Sequence, residues 1–139
     1  MIQNPIVIVD DDIDDCEILI ESLHEIGVEN EIRYFKNGAI ALEYLRTTTE
    51  TPFIIISDIN MPEMNGLEFR KYMNEDISLR KRKIPFVFLS TSKEHNLLET
   101  AFQLDIQGYF QKANNFKSLK EVVQSIIGYW QNSSFSCSV

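Results

Sequence analysis

The chain has 139 residues, 44% of them apolar and 24% charged, which suits one globular domain with its own hydrophobic core. Its formal net charge of −8 argues against nucleic acid or an anionic membrane surface as the main partner. No apolar run approaches the roughly 20 residues of a membrane span, and the N-terminus lacks the basic segment of a signal peptide. We therefore expect a cytoplasmic protein, with Cys16 and Cys137 as reduced thiols.

Five short apolar segments are typical of strands, and they alternate with five segments in which apolar residues follow helical spacing. The predicted strands are residues 6–9, 31–35, 54–56, 86–89 and 108–110. The predicted helices are residues 14–26, 39–45, 67–73, 96–104 and 116–130. This alternation, with short connections, favours an α/β domain with one parallel sheet and helices on both of its faces.

Functional side chains follow four of the predicted strands. Asp10 and Asp11 follow the first strand and Asp58 follows the third. Ser90 follows the fourth strand and Lys112 the fifth. Because the carboxyl ends of parallel strands meet at one edge of a sheet, where ligands bind, we expect these five residues to lie close together.

Three carboxylates from two strand ends repel one another unless a cation lies between them. Mg²⁺ is the cation that best suits carboxylate oxygens without His or Cys. Asp58 is then a metal ligand, a nucleophile for phosphoryl transfer, or both. A single Asp after a strand is more often a turn former or a helix cap.

The neighbouring acids Asp12, Asp14 and Asp15 are interpreted as capping and solvating the start of the first helix. Lys112 and Ser90 are each unremarkable alone, as a solvated charge and a turn residue. Together with the acids they indicate phosphoryl transfer, which needs positive charge and hydrogen-bond donors around the phosphoryl oxygens.

Four segments resemble the CheY-like receiver domains of two-component response regulators, over roughly residues 5–130. They are VDD at 9–11, SDINMPEMNGLEF at 57–69, FLSTS at 88–92 and GYFQK at 108–112. The resemblance implies a flavodoxin-like (βα)5 fold, a doubly wound five-stranded parallel sheet with strand order 2-1-3-4-5.

For the site, the resemblance implies that Asp58 accepts a phosphoryl group from a histidine kinase or a histidine phosphotransfer protein. Asp11, Asp58 and the backbone carbonyl of Asn60 are implied as direct Mg²⁺ ligands, and Asp10 as a ligand acting mainly through water. Lys112 is implied to pair with the phosphoryl oxygens.

The resemblance also implies a switch. Ser90 would bond to a phosphoryl oxygen and draw the fourth strand inward, and Tyr109 would then change rotamer beside Thr91. One position departs from the family pattern, since Ala113 replaces a proline that follows a cis peptide. A cis bond before a non-proline residue costs about 3 kcal/mol, so the Lys112–Ala113 peptide is either trans or held under strain.

We expect residues 1–130 to form the receiver domain and residues 131–139 a disordered tail, which gives a stand-alone response regulator rather than an enzyme. Family members signal through the face formed by the fourth helix, the fifth strand and the fifth helix, which is also a candidate homodimer contact. On this face Leu98, Ala101 and Phe102 are assigned to the core. Tyr129, Trp130 and Phe135 form a further hypothetical contact.

Three alternatives remain open. One is a receiver that serves as a scaffold without being phosphorylated. A Mg²⁺-dependent phosphohydrolase is disfavoured because Asn60 stands where such enzymes need a second Asp. A flavin-binding domain is disfavoured because the acids of residues 10–15 would repel a phosphate. The basic run RKRK at 80–83 is predicted to be a solvated loop.

Overall fold

A computed structural model describes residues 4–91, 94–112 and 115–131. Its strands are β1 (Ile6–Val9), β2 (Ile32–Phe35), β3 (Ile54–Ser57), β4 (Phe86–Ser90) and β5 (Gly108–Gln111). Its helices are α1 (Ile13–Glu25), α2 (Gly38–Thr47), α3 (Gly66–Glu75), α4 (Ile77–Arg82), α5 (His95–Phe102) and α6 (Phe116–Gln131). All five predicted strands and all five predicted helices are confirmed, with bounds that differ from prediction by at most two residues, and α4 is an additional helix.

The five strands form one parallel sheet in the order β2-β1-β3-β4-β5, which confirms the predicted fold class. Strand β1 lies between β2 and β3, where Val9 pairs with both Phe35 and Ser57. Every residue of β1, β3 and β4 is buried. Apolar runs without polar alternation therefore fill the middle of the sheet, as expected for strands covered on both faces.

Alternate strand residues pack into two separate cores, because successive side chains of a strand point to opposite faces. On one face Ile6 and Ile8 pack with residues of α1 and α6, such as Leu23 and Ile127. On the other face Val7 and Val9 pack against α2, α3 and α4. The two cores fix the sheet between its helices and thereby fix the positions of the strand ends.

The basic run is not a loop, so that prediction was wrong. Arg80, Lys81 and Arg82 form the last turn of α4, and Lys83 follows in the left-handed conformation with a φ of 53°. The Asp76 side chain caps this short helix by accepting the Leu79 N–H at 3.1 Å. Buried Leu79 packs α4 against the core. Asp76 and Leu79, which both lie outside the charged run, therefore stabilise the helix that contains most of the run.

Two predictions about apolar residues were also wrong. Phe102 was assigned to the core but is 54% exposed, whereas Ala101 is fully buried as predicted. Trp130, expected in a surface contact, is 7% exposed, while its neighbour Tyr129 is 67% exposed. Successive helical residues point about 100° apart, so adjacent residues need not share an environment. The predicted tail beyond Gln131, with Phe135 and Cys137, lies outside the described residues.

Candidate acidic site at the carboxyl edge of the sheet

The residues that follow the strands are held in place by backbone hydrogen bonds that extend the sheet. The N–H of Asp10 donates to Phe35 O at 3.0 Å, and that of Asp58 donates to Val9 O at 2.8 Å. The N–H of Lys112 donates to Ser90 O at 2.8 Å. Asp10, Asp58 and Lys112 therefore start from fixed positions at one edge, as their sequence positions predicted.

Three carboxylates converge at this edge. One oxygen from each of Asp10, Asp11 and Asp58 lies within 4.8 Å of the other two. Asp10 is buried, Asp58 is half-buried and Asp11 is exposed. The pKa of Asp58 is raised to about 6, chiefly by burial and also by the neighbouring Asp10, against the opposing effect of Lys112. The site therefore concentrates negative charge where solvent screens it poorly.

Lys112 is the cation of this site, and its side chain is only 12% exposed. Its Nζ lies 2.9 Å from Asp10 Oδ2, 3.2 Å from Asp15 Oδ2 and 3.9 Å from Asp58 Oδ2. Burial alone would lower the pKa of Lys112, but the facing carboxylates outweigh burial and the pKa is raised. Lys112 is therefore firmly charged.

The acids are oriented by further hydrogen bonds from the loops that follow β1 and β3. The N–H of Ile59 donates to Asp58 Oδ1 at 2.8 Å, and the N–H of Asp12 donates to Asp10 Oδ1 at 3.0 Å. The Tyr34 hydroxyl donates to the Asp10 carbonyl at 2.7 Å. Each acid is thus fixed in rotamer while its other carboxylate oxygen faces the site.

The donor set fits a small divalent cation. Mg²⁺ binds oxygens at about 2.0–2.1 Å in octahedral geometry, so two of its ligands lie roughly 3 Å apart when adjacent and roughly 4 Å apart when opposite. The three carboxylate oxygens, each within 4.8 Å of the others, would draw together around an ion or bind it in part through water. Carboxylates without His or Cys suit a hard cation such as Mg²⁺ or Mn²⁺ better than zinc.

The loop after β3 depends on a close approach of two backbone segments. The Gly66 N–H donates to Ile59 O at 2.8 Å, and a Cβ at Gly66 would collide with the backbone carbonyl of Asp58. Asn65 caps α3 in a capping box with Glu68, which fixes the start of that helix. Glycine at position 66 therefore lets α3 begin directly against the Asp58 backbone.

The remaining predicted site residues lie around this centre. Ser90 is fully buried at the end of β4, and Thr91 after it is exposed. Tyr109 in β5 pairs with Phe88 of β4, and their ring centroids lie 6.3 Å apart. Asn60 is exposed in the loop after β3. Ala113 lies outside the described residues, so the nature of its peptide bond stays a prediction.

One neighbour of the site was missed. Asp12 caps α1 as predicted, accepting the N–H groups of Asp14 and Asp15 at 3.0 and 3.2 Å. Asp15, however, was interpreted only as a solvated first-turn acid, and its carboxylate hydrogen-bonds to Lys112. Its position one helical turn before buried Leu19 was the available signal, since side chains four residues apart share a helix face.

Comparison with known proteins agrees with this geometry. The family model for the response regulator receiver domain matches residues 6–124. The chain is 29% identical over 123 residues to chemotaxis protein CheY1 of Helicobacter pylori, covering 88% of this chain and 96% of that one. It is 27% identical over 130 residues to response regulator Rcp1 of Synechocystis, covering 90% of this chain and 87% of Rcp1.

Solved structures agree as well. The phosphorylated cyanobacterial phytochrome response regulator RcpA superposes with a TM-score of 0.85 at 27% identity, covering 94% of this chain and 95% of that one. The Mn²⁺-bound form of Rcp1 superposes with a TM-score of 0.82 at 25% identity, covering 94% of this chain and 96% of that one. Among the described residues, no helix is long and apolar enough to span a bilayer. The chain belongs to the response regulator receiver domain family of two-component signalling.

Proposed function

We propose that this chain is a stand-alone response regulator in which Asp58 accepts a phosphoryl group from a histidine kinase or a histidine phosphotransfer protein. Residues 1–130 are the receiver domain in this proposal, and residues 131–139 a tail. The supporting observation is the convergence of Asp10, Asp11 and Asp58 within 4.8 Å, beside the Lys112 ammonium group.

The proposed chemistry is one displacement at phosphorus. A carboxylate oxygen of Asp58 forms a bond to the phosphoryl phosphorus, and the bond from phosphorus to the donor's imidazole nitrogen or acyl oxygen breaks. The leaving group keeps the electron pair. Lys112, with Nζ 3.9 Å from Asp58 Oδ2, is positioned to pair with the phosphoryl oxygens as their charge develops.

We assign the metal site to Asp11, Asp58 and the backbone carbonyl of Asn60, with Asp10 acting mainly through water. When bound, Mg²⁺ would offset the repulsion among the acids and stabilise charge on the phosphoryl oxygens. The Mn²⁺-bound form of Rcp1 supports a divalent cation in a related protein.

We propose that Ser90 and Tyr109 carry the response away from the site. Ser90 ends β4 and its carbonyl accepts the Lys112 backbone N–H, so movement of β4 is coupled to the position of Lys112. Tyr109 is half-buried on the neighbouring strand β5. A hydroxyl drawn toward a phosphoryl group would open space beside Thr91 for the Tyr109 ring.

The proposed output surface is the face formed by α5, β5 and α6, which binds a protein partner or a second copy of the chain. Phe102 of α5 is 54% exposed and supports an apolar contact there. Phosphorylation should increase self-association in sedimentation experiments if the partner is a second copy, and Phe102→Glu should abolish the increase. Unchanged sedimentation would leave a different protein as the partner.

The decisive experiment is phosphorylation from a small acyl phosphate. Wild-type protein with Mg²⁺ should gain one phosphoryl group by intact mass, and hydroxylamine should remove it because it cleaves acyl phosphates. Asp58→Asn should gain none, and chelation of Mg²⁺ should prevent the reaction in wild type. Asp14→Asn, which neutralises an exposed acid of α1, is the matched control and should react normally.

Other outcomes would point elsewhere. No adduct on wild type would favour a non-phosphorylating receiver scaffold. A hydroxylamine-resistant adduct, or an undiminished adduct on Asp58→Asn, would exclude Asp58 as the acceptor. Rapid continuous turnover of the donor without an adduct would favour the phosphohydrolase alternative.

A further inference from the structure

A second cavity lies at the edge of the sheet opposite the acidic site. Its volume is about 370 Å³, and it lies at the amino ends of β4 and β5, bordered by Pro85 and Gln107. Helices α3 and α4 form one side, and Trp130 near the end of α6 forms the other. The volume lies within the range of roughly 300–1,000 Å³ that is typical of small-molecule sites.

The wall of this cavity is built around buried Arg70 of α3, which is 8% exposed. Its Nε donates to Leu104 O at 3.1 Å and its Nη2 to Asp105 O at 2.8 Å. Its guanidinium carbon also lies 5.0 Å from the centroid of the Phe86 ring. The Asn74 side chain adds a second bond to Leu104 O at 2.8 Å. The wall is therefore held rigidly before any ligand binds.

The rim of the cavity is cationic in a chain whose net charge is −8. Exposed Arg80 and Lys83 contribute two positive charges to the rim and Asp105 one negative charge, while buried Arg70 adds a third positive charge in the wall. No carboxylate of the described residues lies within 4.0 Å of the side-chain nitrogens of Arg80 or Lys83. By contrast, Arg82 of the same turn donates to Leu45 O and Thr48 O. Arg80 and Lys83 are both exposed and are not neutralised by a carboxylate of the described residues.

Two backbone positions at the rim adopt a conformation that L-residues disfavour. Lys83 has a φ of 53° and Asp105 a φ of 57°, and both line the cavity. The only other described non-glycine residue with positive φ is Glu63, in the loop after β3. Left-handed residues commonly end helices, as Lys83 does for α4, so these two conformations fix the turns that border the cavity.

The interior of the cavity is largely apolar. Its apolar lining residues include Met73, Leu79, Pro85 and Trp130. Trp130 is the only tryptophan of the chain, so tryptophan fluorescence reports on the surroundings of this one residue, which lines the cavity. An apolar interior with a cationic rim suits a ligand with a ring or short chain at one end and an acidic group at the other.

We propose that this cavity binds a small organic anion, with its acidic group between Arg80 and Lys83 and its apolar body against Trp130. This site is distinct from the acidic site and does not depend on phosphorylation of Asp58. It also gives a role to Arg80 and Lys83, the two residues of the basic run that line the cavity.

The test is a titration of Trp130 fluorescence with phenyl phosphate in the presence of a metal chelator. The expected result is a saturable change, with affinity weaker by about tenfold or more for inorganic phosphate and for benzyl alcohol, which each lack one half of the ligand. Arg80→Glu should weaken phenyl phosphate binding by about tenfold or more. Lys81→Glu is the matched control, since this adjacent exposed lysine does not line the cavity, and it should bind nearly as wild type does.

Lys83→Gly separates binding from folding. Glycine tolerates the left-handed conformation, so this variant should keep or slightly raise the melting temperature while it weakens phenyl phosphate binding. The proposal is overturned by the absence of saturation, by equal binding of benzyl alcohol, or by equal losses in Lys81→Glu and Arg80→Glu. Loss of binding in Asp58→Asn would also overturn it, because the ligand would then occupy the acidic site.

Discussion

Lys112 hydrogen-bonds at 2.9 Å to Asp10, although the strands that precede these two residues, β5 and β1, are separated in the sheet by β3 and β4. Asp58, after β3, lies between them in the strand order and is 3.9 Å from the same ammonium nitrogen. The Lys112 ammonium group therefore offsets the charge of three acids, which are Asp10 after β1, Asp58 after β3 and Asp15 in α1. This shared ion pairing leads to three of the predictions below.

Lys112→Met should destabilise the protein by roughly 3 kcal/mol at about pH 8 without Mg²⁺, because it leaves Asp10 and Asp58 as uncompensated charges. The loss should shrink near pH 4, where these carboxyls become protonated, and Mg²⁺ should restore part of it. Urea unfolding monitored by circular dichroism measures both effects. Lys120→Met is the control: its partly exposed pair with Glu25 spans 3.7 Å, so its loss should cost less than about 1 kcal/mol. Equal losses in the two variants would contradict the prediction.

Asp15→Asn should speed phosphorylation from a small acyl phosphate by a few-fold. Asp15 Oδ2 holds Lys112 Nζ at 3.2 Å, and neutralising it weakens one of the attractions that keep the ammonium group from moving toward Asp58. The initial rate of adduct formation by intact mass measures this effect at fixed Mg²⁺. Asp14→Asn removes a neighbouring first-turn charge and should leave the rate close to that of wild type. A slower rate in Asp15→Asn would mean that Asp15 assists the reaction.

Asp58→Asn should stabilise the metal-free protein above about pH 6. The pKa of Asp58 is raised from 3.8 to about 6 by burial, so between these values the folded state holds a proton that the unfolded chain has released. Wild-type stability should therefore fall as pH rises through this window, by an amount on the order of 1–3 kcal/mol. Asn removes this fall, so the two stability curves should converge below about pH 4.

Mg²⁺ should change the relative stability of wild type and Asp58→Asn, which thermal melts can measure. Wild type should gain stability with increasing Mg²⁺ because the cation offsets the charge of Asp58, whereas Asp58→Asn should gain less. Parallel curves across pH for the two proteins, or equal Mg²⁺ effects, would contradict the assignment of Asp58 to the metal site.

Gly66→Ala should destabilise the protein by several kcal/mol and disturb Mg²⁺ binding, since its Cβ would collide with the Asp58 carbonyl. Gly128→Ala in α6 is the matched control. Apart from its chain neighbours and the nearby backbone of its own helix, no atom lies within 4 Å of a Cβ there, so alanine should stabilise α6 by about 0.5–1 kcal/mol. Denaturant unfolding of both variants tests the pair, and a mild effect at Gly66 would show that the backbone can separate there.

The strand ends were predictable because the apolar segments and the polar residues after them are local features of the sequence. A parallel sheet then brings Asp10, Asp58, Ser90 and Lys112 to one edge whatever the details of packing. The pairing of Lys112 with Asp15 was not predictable in this way, because it depends on how α1 packs against the sheet. Helix α4 was not predicted because its sequence is dominated by charged surface residues. The two residues that stabilise it, the capping Asp76 and the buried Leu79, give only a weak helical pattern.

The order of the site residues along the chain determines when the site can first form during synthesis. Asp10, Asp11 and Asp58 leave the ribosome well before Lys112, which follows Asp58 by a few seconds at about 5–20 residues per second. Until then the nascent chain carries the acids without the cation that offsets them. A nascent chain should therefore be a poor phosphoryl acceptor, and only the finished domain should be able to receive a signal.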